Sequence, residues 1–209
     1  MTRDAATTVI KALLSEKDFL NELDEKIGDG DHGLNMARGA TAAADALNEL
    51  DDDENPKNVL QAVGNAVIMS VGGSAGSLYG AGLLAAAEVL DENSALDAQT
   101  LEKVFGAIVD EIQKRGQAVR GEKTMLDVLI PIHETFKPEN CAGKTFEELL
   151  TEARDAARDG LEFTKTLVAT KGRAAALKKK SVGFEDPGAA SALIIFRALC
   201  GFWKDSFRA

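Results

Sequence analysis

Residues 24–35 carry an unusual concentration of aspartate and glycine, and we call them the acidic segment. Asp24, Asp29 and Asp31 lie close together here, with three glycines around them. Glycine allows backbone conformations that let neighbouring side chains converge on one point. Converging carboxylates repel one another unless a cation lies among them, and oxygen ligands without cysteine suit Mg²⁺ or Ca²⁺. Since Mg²⁺ often takes further ligands from a substrate phosphate, the acidic segment predicts a metal-assisted nucleotide site.

Two known glycine- and aspartate-rich motifs do not fit the acidic segment. Gly28-x-Gly30-x-x-Gly33 has the spacing of a dinucleotide-binding fingerprint, but charged, helix-like sequence precedes it instead of a buried strand. An EF-hand loop beginning at Asp29 would need glycine at its sixth position, where Leu34 stands. The alternative to a metal site is a solvated acidic turn between two helices.

Residues 72–76, the glycine segment, read GGSAG and lie between two predicted helices, the second beginning at Ser77. Backbone N–H groups at a helix N-terminus, together with the hydroxyl of Ser74, would suit a phosphate. No Gly-Lys-Ser/Thr follows, so the segment is not a Walker loop. Close helix packing through glycine explains the same residues about equally well.

Residues 171–188, the basic segment, carry five cations before the first acid, which is Glu185. These cations are Lys171, Arg173, Lys178, Lys179 and Lys180. In a chain of net charge −10, such a cluster could neutralise phosphate oxygens. We favour Arg173 as a phosphate ligand because a guanidinium can hold two oxygens and keeps its charge. A mobile, solvated loop is the alternative.

The composition favours helices as the elements that position these segments. The chain has 209 residues, of which 45% are hydrophobic and only four are proline, and it is rich in alanine. We predict about eight helices, no strand, and an all-α antiparallel bundle or barrel in one domain. Four helices are expected near residues 4–22, 33–50, 77–91 and 122–136.

The other predicted helices have recognisable ends. Asn55-Pro56 predicts a cap and first turn for a helix that ends at Gly72-Gly73. A buried face from Leu101 to Ile112 predicts a helix that stops at Gly116. Thr145 and Glu148 fit a capping box. Asp186-Pro187-Gly188 is typical of the cap and first turn before an apolar helix.

Charge and cysteine usage exclude several classes of protein. The excess of acids argues against non-specific binding to nucleic acid or to an anionic membrane. Cys141 and Cys200 form no CxxC pattern, so we expect free thiols in a reducing cytosol. The sequence shows neither a signal peptide nor a membrane span, and no nucleophile motif is legible. His133 is expected to be a packed or surface helical residue.

Five stretches occur in an order that resembles a known family. They are IGDGDHGLNMARG, SVGGSAGSLYG, QKRGQAVRGEKTMLDVL, ATKGRA and DPGAASA. The chain resembles the nucleotide-binding L subunit of dihydroxyacetone kinase, in the form that works with the phosphoenolpyruvate phosphotransferase system. The resemblance covers nearly the whole chain, taken as one domain over residues 1–209. It implies a barrel of eight antiparallel helices, with ADP and two Mg²⁺ ions among the loops at one end.

The resemblance also implies a role for individual residues. Asp24, Asp29 and Asp31 match magnesium ligands, and Arg173 matches a residue that neutralises the transferred phosphoryl group. The implied nucleotide contacts are His32, Gly33, Leu34, Asn35, Ser74, Ala75, Gly116, Met125, Arg173, Asp186, Pro187 and Gly188.

The implied activity involves other proteins. In the family, dihydroxyacetone is held on a histidine of a separate K subunit. An M subunit rephosphorylates the bound ADP in place, and the resulting ATP transfers its γ-phosphoryl group. Contact with a transcription regulator is also implied in some organisms, and a homodimer is left open. The competing hypotheses are a subunit of an ATP-dependent triose or sugar kinase and a non-catalytic nucleotide-binding regulator.

Two stretches depart from the family pattern. The family usually has GGASG where this chain has Gly73-Ser74-Ala75-Gly76, which shifts the serine by one position. The family's RASYLGERS is replaced by RAAALKKKS over residues 173–181, without the tyrosine and the glycine. We therefore expect this segment to close differently over the nucleotide, and looser closure would permit faster nucleotide exchange.

Overall fold

The computed structural model describes residues 2–51, 54–91 and 94–206, so both extreme ends of the predicted 1–209 domain lie outside the described residues. The helices are α1 (Thr2–Ser15), α2 (Lys17–Ile27), α3 (His32–Asn48), α4 (Pro56–Ser70), α5 (Gly73–Glu88), α6 (Ala98–Gly116), α7 (Leu126–Thr135), α8 (Pro138–Cys141), α9 (Phe146–Thr164) and α10 (Pro187–Ser206). A 3-10 segment spans Arg173–Ser181. The described residues contain no strand, which confirms the predicted all-α class.

Helices α1 and α2 form one kinked helix. The Glu16 N–H donates to Ala12 O at 3.1 Å and the Leu20 N–H donates to Glu16 O at 3.0 Å, so helical bonds continue across the break. With α1 and α2 taken together, and the single turn α8 set aside, the described residues form eight long helices. This matches the predicted number.

The long helices close into a ring. Helix α3 packs against α4, α4 against α5, α5 against α6, and α6 against α7. Helix α7 then packs against α9, α9 against α10, and α10 against α1, which contacts α3. Because the connections between α2 and α7 are short, consecutive helices in this part of the ring run antiparallel. A longer connection, residues 165–186, joins α9 to α10. The architecture is therefore the predicted barrel.

The interior of the ring is apolar. Leu101, Phe105, Val109 and Ile112 are buried on one face of α6, as their spacing predicts. The ring of Phe105 stacks on Phe136, with ring centroids 6.1 Å apart. A cavity of about 730 Å³ lies inside the ring and is lined mainly by aliphatic side chains from several helices. No helix of the described part of the chain is long and apolar enough to cross a membrane.

Local capping explains where several helices begin. The Asn58 N–H donates to Asn55 Oδ1 at 3.0 Å, and the capping box at Thr145 is formed. The Ala189 N–H donates to Asp186 Oδ2 at 2.7 Å, so Asp186 caps α10. Helix α6 ends at Gly116, as predicted. Cys141 and Cys200 are free thiols, also as predicted.

Two predicted helix starts and two predicted loops were wrong. Helix α5 begins at Gly73 instead of Ser77, because residues of a first turn need little intrinsic helix propensity. Helix α7 begins only at Leu126, since residues 117–125 turn the chain back from α6. The acidic segment is not a loop throughout: Asp24 belongs to α2, and His32 is the first residue of α3. Part of the basic segment is the 3-10 segment, not an open loop.

Candidate functional site

The acidic segment is folded back on the end of α2 by the carboxylate of Asp24. Asp24 Oδ2 accepts hydrogen bonds from the backbone N–H groups of Asp31 at 3.0 Å and His32 at 3.2 Å. One carboxylate oxygen from each of Asp24, Asp29 and Asp31 lies within 4.8 Å of the other two. The structure therefore brings together the three carboxylates that the sequence singles out.

Two glycines make this convergence possible. A side chain at Gly28 would place its Cβ 1.9 Å from Asp24 Oδ1, so only glycine leaves room for the carboxylate. Gly30 has a φ of +77°, which other residues rarely adopt. The glycines of the acidic segment thus serve local geometry. The helix α2 precedes them where a dinucleotide fingerprint requires a strand.

The three carboxylates fit a hard divalent cation. The oxygens come from one buried, one half-buried and one exposed residue, so the cluster is open to solvent on one side. Such a site supplies oxygen ligands on the protein side and leaves the other positions for water or phosphate, as Mg²⁺ prefers. A bound cation would also relieve the repulsion among the carboxylates.

Arg173 joins the basic segment to the acidic segment. Its Nη1 lies 2.7 Å from Asp29 Oδ2, and its side chain is 65% exposed. An ion pair this exposed contributes little to stability, about 1 kcal/mol or less. The guanidinium keeps further N–H donors at the edge of the carboxylate cluster, where a phosphate could accept them. By contrast, Lys171 lies 3.9 Å from Glu122, and Lys178, Lys179 and Lys180 are exposed.

The turn before α10 brings a fourth carboxyl near the cluster. Burial raises the pKa of Asp186 to about 7. The backbone bond from Ala189 and the charge of Lys123 oppose this rise, whereas Asp127 and Asp24 add to it. Gly188 and Met125 are close in space: a Cβ added to Gly188 would lie 3.7 Å from Met125 Cε. Two of the predicted nucleotide contacts are therefore neighbours in space.

Sequence reasoning missed a buried lysine beneath the basic segment. Lys123 is 1% exposed, and its ammonium donates to the carbonyl oxygens of Thr164, at 2.6 Å, and Phe184. Burial lowers the pKa of Lys123, and Asp186, Asp127 and Glu185 oppose that shift. The only local signal was a lysine in the stretch KTMLD, which has no characteristic metal or phosphate spacing.

The remaining predicted contact residues lie at helix ends on the same side of the barrel. Burial lowers the pKa of His32, whereas the charges of Asp24 and Asp31 and a hydrogen bond to the Pro187 carbonyl oppose that shift.

The other contact residues lie in helix turns. Gly33 is buried and Leu34 is exposed in the first turn of α3, where Asn35 accepts a hydrogen bond from Arg38 at 3.3 Å. Ser74 and Ala75 lie in the first turn of α5, and Gly116 ends α6.

His133 lies outside this group. It is on α7, with its Nε2 atom 3.4 Å from Glu102 Oε1, which confirms the prediction of a packed or surface helical residue.

These observations define a class of protein: an all-helical barrel domain whose connections at one end gather carboxylates, an arginine and a helix N-terminal turn. The chain belongs to the DAK2 domain family, whose model matches residues 26–201.

Relatives and a solved structure agree with this assignment. The chain is 39% identical to the ADP-binding subunit DhaL of PEP-dependent dihydroxyacetone kinase 1 from Listeria innocua, over 88% of this chain and 86% of that one. It is 34% identical to the corresponding ADP-binding subunit of Escherichia coli, over 88% of both chains. The dihydroxyacetone kinase of C. freundii in complex with AMP-PNP and Mg²⁺ superposes with a TM-score of 0.73 at 26% identity, over 96% of this chain. This chain spans about a third (33%) of that longer one.

Proposed function

We propose that the protein is the ADP-binding L subunit of a dihydroxyacetone kinase linked to the phosphoenolpyruvate phosphotransferase system. One observation carries the proposal: three carboxylates converge within 4.8 Å at the loop end of a helical barrel. The identity to ADP-binding subunits over most of both chains supports the same activity. We take residues 1–209 as one such domain.

In this proposal, Asp24, Asp29 and Asp31 hold two Mg²⁺ ions, which would neutralise phosphate charge when bound. The carboxylates converge and are open on one side, as a site shared with a polyphosphate requires. The phosphates of ADP would lie against the first turns of α3 and α5, formed by residues 32–35 and 73–76. The adenine would lie near Gly116 and Met125, with the turn at residues 186–188 closing the site.

Arg173 is the proposed catalytic residue. Its guanidinium reaches the carboxylate cluster at Asp29, so it can neutralise charge on a phosphoryl group in transit. Phosphoryl transfer depends on positioning and charge neutralisation and needs no nucleophile from this chain. The acceptor dihydroxyacetone would be held on a K subunit, and an M subunit would rephosphorylate ADP in place. A regulatory contact with a transcription regulator is a further proposed role.

The test is the nucleotide that the protein carries. The protein is purified without added nucleotide and then denatured to release what it has bound. Mass spectrometry should identify the released nucleotide as ADP, near one per chain. With K and M partners supplied, dihydroxyacetone phosphorylation should depend on phosphoenolpyruvate. A correctly folded preparation that is empty and stays inactive with both partners would contradict the proposal.

A second candidate is an ATP-dependent kinase, because the C. freundii kinase carries the ATP analogue AMP-PNP on a longer chain. Rapid exchange of bound nucleotide with labelled ATP, and turnover without phosphotransferase proteins, would favour this candidate. A purely regulatory protein would need no turnover. Activity with K and M partners would therefore eliminate regulation as the sole role.

A further inference from the structure

Four polar atoms from separate parts of the chain converge next to the carboxylate cluster. His32 Nε2 on α3 lies 2.9 Å from Ser191 Oγ on α10. Ser191 Oγ lies 2.8 Å from the hydroxyl of Tyr79 on α5. Both hydroxyls lie 3.0 Å from the carbonyl oxygen of Gly188. We call this set, His32, Ser191, Tyr79 and the Gly188 carbonyl, the hydroxyl bridge.

Ser191, at the centre of the hydroxyl bridge, is removed from water, whereas His32 and Tyr79 are half-buried. Ser191 is 0% exposed, and burial raises the pKa of Tyr79 well above its usual range. A buried hydroxyl that loses its partner costs more free energy than an exposed one, since water cannot replace the bond. Each member of the bridge therefore restrains the others.

The direction of the bridge depends on whether His32 Nε2 carries a proton. The Gly188 carbonyl can only accept, and each hydroxyl has one proton to donate. With a proton on Nε2, His32 donates to Ser191, Ser191 donates to Tyr79, and Tyr79 donates to the Gly188 carbonyl. With Nε2 unprotonated, Ser191 donates to His32, and Tyr79 donates to Ser191 or to the Gly188 carbonyl. In either case the hydroxyls of Ser191 and Tyr79 are both bonded within the bridge.

Each helix in the bridge carries one part of the proposed nucleotide site. His32 directly follows Asp31, a carboxylate of the cluster. Tyr79 lies on α5, whose first turn contains Ser74 and Ala75. Gly188 belongs to the turn that closes the site in our proposal. A shift of any one helix along its axis would break at least one of these short contacts.

We propose that Tyr79 and Ser191 are positioning residues of the nucleotide site, which fix the acidic segment, the first turn of α5 and the first turn of α10 in mutual register. The inference rests on the proposed function, because it assigns these two residues to the same ADP site. They touch the elements that would hold the nucleotide and need not touch the nucleotide itself.

The test compares binding of ADP with Mg²⁺ by titration calorimetry in wild type, Tyr79→Phe and Ser191→Ala. Each variant removes only a hydroxyl, so the helical fold should persist by circular dichroism. We expect the Kd to rise about tenfold in either variant, as the loss of one buried bond implies. Because both act through one bridge, the double variant should be little weaker than the single ones. Additive losses would contradict a shared bridge.

Two further variants separate positioning from stability. Ser191→Thr keeps the hydroxyl but adds a methyl group at a fully buried position, so it should lower stability yet bind ADP more tightly than Ser191→Ala. If the ADP affinities of these variants rank in the same order as their stabilities, the proposal is overturned. Thr41→Val is the matched control, because in the described part of the chain the Thr41 hydroxyl donates within α3, to Ala37 O at 3.0 Å. The Kd of this variant should stay at the wild-type value.

The outcomes also distinguish this inference from the function beneath it. If wild type binds ADP and Tyr79→Phe binds equally well, the positioning role is wrong and the proposed function stands. If folded, nucleotide-free wild type binds no ADP with Mg²⁺, the proposed function fails and the positioning role fails with it.

Discussion

The ammonium group of Lys123 lies 2.6 Å from the carbonyl oxygen of Thr164, at the end of α9. The same group donates to the carbonyl of Phe184, close to the start of α10. One buried side chain therefore ties together the two ends of residues 165–183, the stretch that carries Arg173. A backbone hydrogen bond from the Gly183 N–H to Lys165 O, at 2.7 Å, also joins the two ends of this stretch.

Replacing Lys123 with methionine should allow the two ends of residues 165–183 to separate. The variant keeps the apolar stem but removes two charge-assisted bonds, so the free energy of unfolding should fall by about 2–4 kcal/mol. Trypsin should then cut after Arg173 and Lys178 much faster than in wild type, which peptide mapping would show. The control is Lys165→Met, which removes a more exposed pair with Glu185 and should cost about 1 kcal/mol or less. Equal cleavage rates in wild type and Lys123→Met would contradict the role assigned to the lysine.

Substitution of Gly28 should damage the carboxylate cluster without unfolding the barrel. An alanine Cβ would lie 1.9 Å from Asp24 Oδ1 and must displace that carboxylate. We expect Mg²⁺-dependent ADP affinity to fall by about tenfold or more, measured by calorimetry. Gly201→Ala is the matched control, since a Cβ there meets nothing within 4 Å. If Gly28→Ala binds as wild type does, the precise placement of Asp24 is irrelevant to the site.

Removal of either of the two more accessible carboxylates, Asp29 and Asp31, should abolish nucleotide retention. Asp29→Ala and Asp31→Ala each delete one arm of the cluster, so Mg²⁺-dependent retention of ADP through gel filtration should be lost while helicity is kept. Asp45→Ala, on an exposed position of α3, should retain ADP fully. Retention at the wild-type level in either cluster variant would overturn the metal assignment.

The Asp186 carboxyl should make stability depend on pH. Its pKa is about 7 in the folded protein, against 3.8 for the free side chain. Between those values the folded state keeps a proton that the unfolded state has lost. The free energy of unfolding should therefore fall as the pH rises from about 4 to about 7, by at most about 1.4 kcal/mol per pH unit from this group.

Asp186→Asn isolates that contribution. Asparagine keeps an oxygen for the Ala189 N–H and does not titrate. As the pH rises, the wild type should therefore become less stable relative to the variant. Urea unfolding with a chelator present, between about pH 5 and pH 8, measures this difference. A constant difference across that range would show that the carboxyl titrates normally.

Local chemistry explains which parts of the structure could be predicted. Asn55, Thr145 and Asp186 cap their helices with donors only three residues away, so the sequence contains both partners. Asp24, Asp29 and Asp31 converge for a similar reason, because a short link joins α2 to α3.

The missed residues depend on partners that are distant in sequence. The hydroxyl of Tyr79 bonds to Gly188, 109 positions away, and Lys123 bonds to Phe184, 61 positions away. Those contacts exist only once the ring of helices has closed. Neither a serine in an alanine-rich helix nor a tyrosine in a glycine-rich one has a spacing that reveals such a partner.

The closure of the ring between α1 and α10 has a consequence for how the protein is made on the ribosome. Among the described helices α10 is synthesised after the others, so a nascent chain holds an incomplete ring with an uncovered apolar flank until α10 has been made. The contact between α1 and α10 also has a high sequence separation, which slows the final step of folding. We therefore expect protection of α1 from hydrogen exchange to appear only after α10 has left the exit tunnel.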